Sequence, residues 1–232
     1  MQTAKNMKEY HSDLREALND AFLRETLDKF AVAYRGNRAA IFAYINEKEL
    51  IAEIAEAKDE SLGRLEELFT QFAAEAARRG VIVHRAADAA EANKIICDIA
   101  AENNCRKIIK SKSMTAEEIH LNHALEEKGC EVTETDLGEW IIQLRHEGPT
   151  HMVMPAIHLS RFQVADTFTE ATGQKQDEAI TKLVKVARKE LRSKFIEADM
   201  GISGANFAIA ENGAIGVCTN EGNGRLTTTL PR

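Results

Sequence analysis

The sequence predicts an α/β protein in which a mainly parallel sheet is covered by helices, with a helical N-terminal extension and a C-terminal β-hairpin. Three observations predict it. Short apolar segments with strand character start at intervals of roughly 20–27 residues through the middle of the chain, which is the period of a βα unit. Amphipathic segments with recognisable starts and stops lie between them. Near the end, "NFAIAENGAIGVCT" sets two short apolar runs about Asn212-Gly213. Asn-Gly is the strongest two-residue hairpin signal, because both residues tolerate positive φ.

The elements follow in order. Residues 1–62 are rich in Ala, Glu and Lys and read as the helical extension, and residues 63–232 as the α/β domain. Leu65, Leu68, Phe69, Phe72 and Ala76 keep helical spacing, and Gly80 stops that helix. Val81–His84 reads as a short buried strand. Asp88 with Glu91 marks the next helix start, and Ala92, Ile95, Ile96 and Ile99 form its apolar stripe. Lys107–Lys110 is a strand. Thr115 with Glu118 forms a capping box for one helix reaching about Lys128, ended by Gly129. Cys130–Thr135 is a strand, Gly138–Leu144 a helix, and His151–Met154 a further strand. A long helix from Gln176 to Glu197 sets Ile180, Leu183, Val184, Ala187 and Leu191 on one face. Its other face carries Lys182, Lys185, Lys189 and Arg192 and reads as solvated.

Composition narrows the function classes. Hydrophobic residues make up 44% of the 232, enough for a real core. The formal charge of −7 argues against nucleic acid or an anionic membrane as partner. No apolar run approaches the roughly 18 residues of a membrane span. The polar N-terminus is no secretory signal, so a cytoplasmic protein is expected. Cys97, Cys105, Cys130 and Cys218 include no CxxC pair. They read as small buried residues in a reducing compartment, so no metal is expected in this chain. The seven histidines are scattered, and none has an acidic or cysteine partner at ligand spacing.

Three segments carry candidate chemistry. "KSKSMTAEEI" runs from a strand end into a capped helix, where open α/β sheets bind ligands. Lys110, Ser111, Lys112, Ser113 and Thr115 supply charge and hydroxyls there. Capping and solvated lysines would account for the same letters. "ETDLGEW" places Glu134, Asp136 and Glu139 after the next strand, as hydroxyl acceptors or a base, and Asp136 equally suits a helix cap. The third segment, Gly201–Leu226, holds Gly204 and Asn206 before the hairpin, Glu211 at its turn, and Asn220, Glu221, Asn223 and Arg225 in a loop after it. Glycine there would let a ligand reach the backbone. The three segments together are expected to line one small-molecule cleft; two plain surface turns are the rival reading.

"KSKSMTAEEIHLNHALEEKGCEVTETDLGEWIIQL", "HMVMPAIHLSR" and "GISGANFAIAENGAIGVCTNEGNGRL" resemble, in that order, the LUD domain of the lactate utilization protein B family. The resemblance runs from about Ala31 to the end. It implies a Rossmann-like fold of the NagB/RpiA/CoA transferase group. It also implies a place in a multi-subunit system that oxidises L-lactate to pyruvate, with the other subunits as partners. That family carries [4Fe–4S] clusters on cysteine motifs beyond this domain, and no such motif occurs here. The expectation is therefore a fragment with a ligand-binding or docking role and no redox centre. "AENG" at Ala210–Gly213 is also similar to the Ser-Glu-Asn-Gly element of class I CoA transferases, which would make Glu211 a nucleophile that forms an acyl anhydride. CoA or phosphosugar chemistry, or a structural subunit interface, are the alternative functions.

Overall fold

The computed structural model describes residues 6–219 and 221–231. The chain forms two units. One comprises residues 84–206 and 217–231, and the other Asn6–Val83 with Phe207–Gly216.

The second unit is helical. It contains α1 (Met7–Asn19), α2 (Ala21–Ile41), a short 3-10 turn, α3 (Glu47–Gly63) and α4 (Leu65–Arg78). Asn6, Asp20 and Asn46 cap three of these helices through their side chains. Gly80 ends α4 with a φ of +78°. The expected strand Val81–His84 does not form. This segment is irregular, Ile82 is 80% exposed, and the chain passes here from one unit to the other. Among the described residues no neighbouring strand takes up its hydrogen bonds; Val81 N donates to Ala76 O instead.

The first unit is the α/β body. It starts with α5 (Ala89–Glu102), capped by Asp88, whose side chain accepts from Glu91 N. Strand β1 (Lys107–Lys110) leads to α6 (Met114–Glu118) and α7 (Leu121–Glu127). The single helix expected to Lys128 is thus two. His120 adopts a left-handed conformation at φ +54° between them. Ser113, not Thr115, caps the first by accepting from Ala116 N. Strand β2 (Glu131–Glu134) leads to α8 (Leu137–Arg145). The expected strand His151–Met154 is a turn. His151 Nδ1 accepts from Val153 N and Met154 N, so those amides are unavailable to a ladder. Helices α9 (Arg161–Thr172) and α10 (Ile180–Glu197) follow, the latter four residues shorter at its start than expected.

Strand β3 (Met200–Ile202), which the sequence did not reveal, joins the sheet. Its order is β2-β1-β3 and every pairing is parallel. Ile108 and Val132 share one face, with Cys97, Ala100, Ala116, Leu121 and Leu125 from α5–α7 packed over them. Helix α10 packs on β1 and α8 on β2. Trp140, Phe168, Leu183, Ala187 and Leu191 form a second cluster from α8–α10, with the Trp140 and Phe168 rings 5.1 Å apart. The parallel, helix-covered sheet is the predicted α/β architecture.

Two glycines of the terminal segment are there for close approach. A Cβ on Gly201 would lie 1.9 Å from the carbonyl oxygen of Thr227, in α11 (Asn223–Thr229). So the loop expected around Asn223 and Arg225 is a helix laid on β3. The predicted hairpin is present as β4 (Phe207–Ile209) and β5 (Ala214–Gly216). Its connection is four residues, Ala210–Gly213, rather than two. Only Gly213 has positive φ, at +68°, and a Cβ there would lie 2.3 Å from Ala76 N of α4. The hairpin turn rests against that helix within the second unit.

Candidate functional site

The C-terminal ends of β1, β2 and β3 gather most of the residues singled out in the sequence. Lys110 and Glu134 are register partners on adjacent parallel strands, so their side chains leave the same face. They meet as an ion pair, Nζ to Oε1, at 2.9 Å, with side chains only 1% and 6% exposed. Asn122 of α7 adds a second donor to Glu134 Oε1 at 2.7 Å. Glu134 N receives the side chain of Gln143 as acceptor. Neither Lys110 Nζ nor Glu134 Oε2 has an aligned hydrogen bond. Burial pushes the Glu134 carboxyl up from its ordinary value, and Lys110 only partly pulls it back. Lys110 thus points into the protein and not towards a solvent-facing ligand.

The more accessible cation is Lys112. It pairs with Glu139 at 2.7 Å, and its side chain is 23% exposed against 6% for Glu139. Glu139 is placed by the start of α8, which Asp136 caps by accepting from Gly138 N and Glu139 N. Capping is therefore the observed task of Asp136. Glu221 Oε2 accepts from Leu137 N at the same helix end.

Hydroxyls complete the strand ends. Ser111 is buried, continues the β1–β3 ladder by donating its N–H to Ile202 O, and its Oγ donates to Ser203 Oγ at 2.9 Å. Ser113 stands against Gly204, where a Cβ would lie 3.1 Å from the serine Cβ. Asn223 donates to Thr135 Oγ1, which in turn donates to the carbonyl of Lys110.

The remaining predicted residues have other places. Asn206 Oδ1 accepts from Cys218 N and ties together the two ends of the chain around the hairpin. Arg225 is exposed on α11. Glu211 is exposed in the hairpin turn, which belongs to the second unit. Asn220 lies outside the described residues.

Two members of the cluster escaped the sequence reading. Asn122 reaches Glu134, and Glu117 of α6 lies within electrostatic range of Lys110, Lys112, Glu134 and Glu139. On one continuous helix residues 117 and 122 would lie about 140° apart around the axis, and the left-handed His120 resets that phase between α6 and α7. No periodicity of one continuous helix predicts it.

The cysteines do not fit an iron–sulfur cluster. Among the described residues no group of three or more His, Cys, Asp or Glu is arranged to hold a metal ion. Burial pushes the Cys97 and Cys105 thiols up, away from the thiolate form a metal requires. Cys97 and Cys130 point at carbonyl oxygens, of Ala124 and Cys105 respectively.

Comparison with known families matches residues 69–232 to the LUD domain. The chain belongs to the LUD domain family. This LUD chain is 49% identical over 178 residues to Lactate utilization protein B of Bacillus velezensis, which covers 76% of the chain and 37% of that relative. It is 40% identical to the Bacillus licheniformis protein of the same name over 227 residues, 97% of the chain and 48% of the relative. An Exiguobacterium relative, again Lactate utilization protein B, is 40% identical over 218 residues. The chain therefore spans about half or less of the length of these curated relatives. No solved structure matches the LUD chain. Among the described residues, no helix is long and apolar enough to cross a membrane.

Proposed function

We propose that this chain acts in lactate utilization, as the LUD domain of an iron–sulfur protein in a complex oxidising L-lactate to pyruvate. Its own part in this reading is to bind a small carboxylate at the strand ends, or to dock the other subunits. The observation that carries the reading is the 49% identity to Lactate utilization protein B of Bacillus velezensis over 178 residues. The strand-end cluster supports the ligand role. Lys112 offers an ammonium that solvent reaches, and Ser113, packed against Gly204, a hydroxyl. The [4Fe–4S] clusters that the family resemblance implies belong, in this reading, to the part of a longer protein not represented in these residues. A small carboxylate is held here by charge and hydrogen bonds, so the chain's residues orient the ligand and exclude water from one side of it.

Deleting the coding sequence in its host tests this. Growth on L-lactate as carbon source should be lost and growth on pyruvate retained, because the block lies before pyruvate. Unimpaired growth on L-lactate would remove the reading.

A further inference from the structure

The segment that joins α8 to α9 holds a second constellation. His146, left-handed at φ +55°, stops α8, and Ser160 caps α9. Between them the chain is irregular but pinned. Thr150 N donates to Pro155 O at 3.1 Å, and His151 Nδ1 accepts from Val153 N and Met154 N. This path brings Glu147 Oε2 within 3.0 Å of Nε2 of His158, 11 residues on. Thr150 Oγ1 lies 2.7 Å from the other ring nitrogen, Nδ1. Arg145, in the last turn of α8, grips Glu147 Oε1 through Nε at 2.9 Å and Nη2 at 2.7 Å. Its Nη1 donates to Thr167 Oγ1 of α9 at 3.2 Å. Arg145, Glu147, His158 and Thr150 thus form one continuous row.

The row has a direction. Arg145 foremost, with His158 adding and burial opposing, holds the Glu147 carboxyl below its ordinary value, so both its oxygens only accept. His158 Nε2 must then carry the proton, which leaves a lone pair on Nδ1. The Thr150 hydroxyl is consequently the donor to Nδ1. A hydroxyl that donates to an imidazole oriented by a carboxylate is the arrangement that activates a nucleophile. The open end of the row is that hydroxyl: Thr150 is exposed, whereas the His158 side chain is 20% exposed. Met152 and Val153, in the same turn, are 66% and 64% exposed and offer apolar surface.

We propose that Thr150, His158 and Glu147 form a hydrolytic site for small carboxylic esters, with Thr150 as the nucleophile. Thr150 Oγ attacks the ester carbonyl carbon while its proton passes to His158 Nδ1. A C–O bond forms, and the carbonyl π pair moves onto its oxygen. When that pair returns, the bond to the alcohol oxygen breaks, and His158 gives its proton to the departing alcohol. Water then repeats the sequence on the acyl-Thr150, releasing the acid and restoring the hydroxyl. The balance is ester plus water to acid plus alcohol, with no change of oxidation state. Thr150 and His158 are the catalytic residues. Glu147 is a positioning residue, which fixes the tautomer and steadies the imidazolium. The adjoining Met152 and Val153 favour an apolar acyl group. This activity is independent of the carboxylate reading of the strand ends.

Release of p-nitrophenolate from p-nitrophenyl acetate by the 232-residue chain tests it. With this probe the phenolate leaves as an anion, and the imidazolium returns its proton to the buffer. Thr150→Ala should lose the release and Thr150→Ser retain it. His158→Ala should slow the Thr150-dependent release by about 100-fold or more, the contribution of a general base, and added imidazole should restore part of it. Glu147→Gln should slow it as well, and Glu147→Asp should recover part. Acid-quenched wild type, digested for mass spectrometry, should carry the acetyl group on Thr150. Release unchanged in Thr150→Ala overturns the proposal, as does an acetyl group found only on other residues such as the exposed Cys218. A row that merely ties the loop would lower the melting temperature of His158→Ala and leave release from the folded variant at the wild-type level, which also overturns it. Thr150 is exposed, so Thr150→Ala should fold, and its comparison with the wild type decides even where His158→Ala does not.

Discussion

Lys110 and Glu134 stand opposite each other on β1 and β2, and their charged groups meet at 2.9 Å with almost no exposed surface. Each has lost its water, so each depends on the other. Removing one partner from such a pair typically costs about 3–5 kcal/mol, whereas replacing both with apolar groups is often neutral or better. Lys110→Met should therefore lower stability by about that amount. The double variant Lys110→Met/Glu134→Leu should recover most of it. Urea unfolding, compared by midpoint at unchanged slope, measures both. A double variant no better than the single one would mean the pair does not share one desolvated environment.

Gly201 and Gly36 offer opposite outcomes for the same substitution. At Gly201 a methyl group meets the backbone of Thr227, so either β3 or α11 must shift. Overpacking of this kind costs about 1–3 kcal/mol or more. Gly36 lies within α2 with nothing within 4 Å of a built Cβ. Alanine there should stabilise by roughly 0.5–1 kcal/mol. Thermal unfolding of the two variants should move in opposite directions.

Asp199 gives a pH test at the other end of the sheet. Its Oδ2 accepts from Lys107 N and Arg106 N, which hold the carboxyl below its ordinary value of 3.8. A depressed folded value stabilises the fold fully above the unfolded value, and that stabilisation is lost as pH falls through the folded one. Asp199→Asn should therefore flatten the decline in stability below about pH 3.8. Melting temperatures across the acid range check it. A decline as steep as that of the wild type would show that these two amides do not contribute.

Glu211 should form no covalent intermediate. It is an exposed carboxylate in a four-residue turn, and desolvation does nothing to raise its reactivity. Incubation with an acyl-CoA should leave no hydroxylamine-sensitive adduct, as read by mass spectrometry. An adduct on Glu211 would favour CoA-transferase chemistry.

The sequence made the regular parts legible. Asp88 and Glu91 started α5, Gly80 and Gly129 ended helices, and the runs Lys107–Lys110 and Cys130–Thr135 became β1 and β2. It misled where local pattern lacked a partner. "VIVH" and "HMVM" have strand letters, but among the described residues no neighbouring strand pairs with them. It was silent where tertiary contact decides. The three residues of β3 include a glycine whose reason is the carbonyl of Thr227, a residue 26 positions on. Lys110, Ser113 and Glu134 were readable as site candidates because they sit at strand ends. Glu117 and Asn122 were not, because the left-handed His120 breaks the one helix on which both were expected.

The strand-end cluster around Lys112 is proposed to bind a small carboxylate. Amide chemical-shift mapping with L-lactate tests it most directly. The account predicts saturable shifts concentrated at Ser111–Met114, Asp136–Glu139 and Ser203–Gly204, much weakened in Lys112→Gln. No saturable shifts, or shifts confined to the hairpin around Glu211 and unchanged in Lys112→Gln, would contradict it.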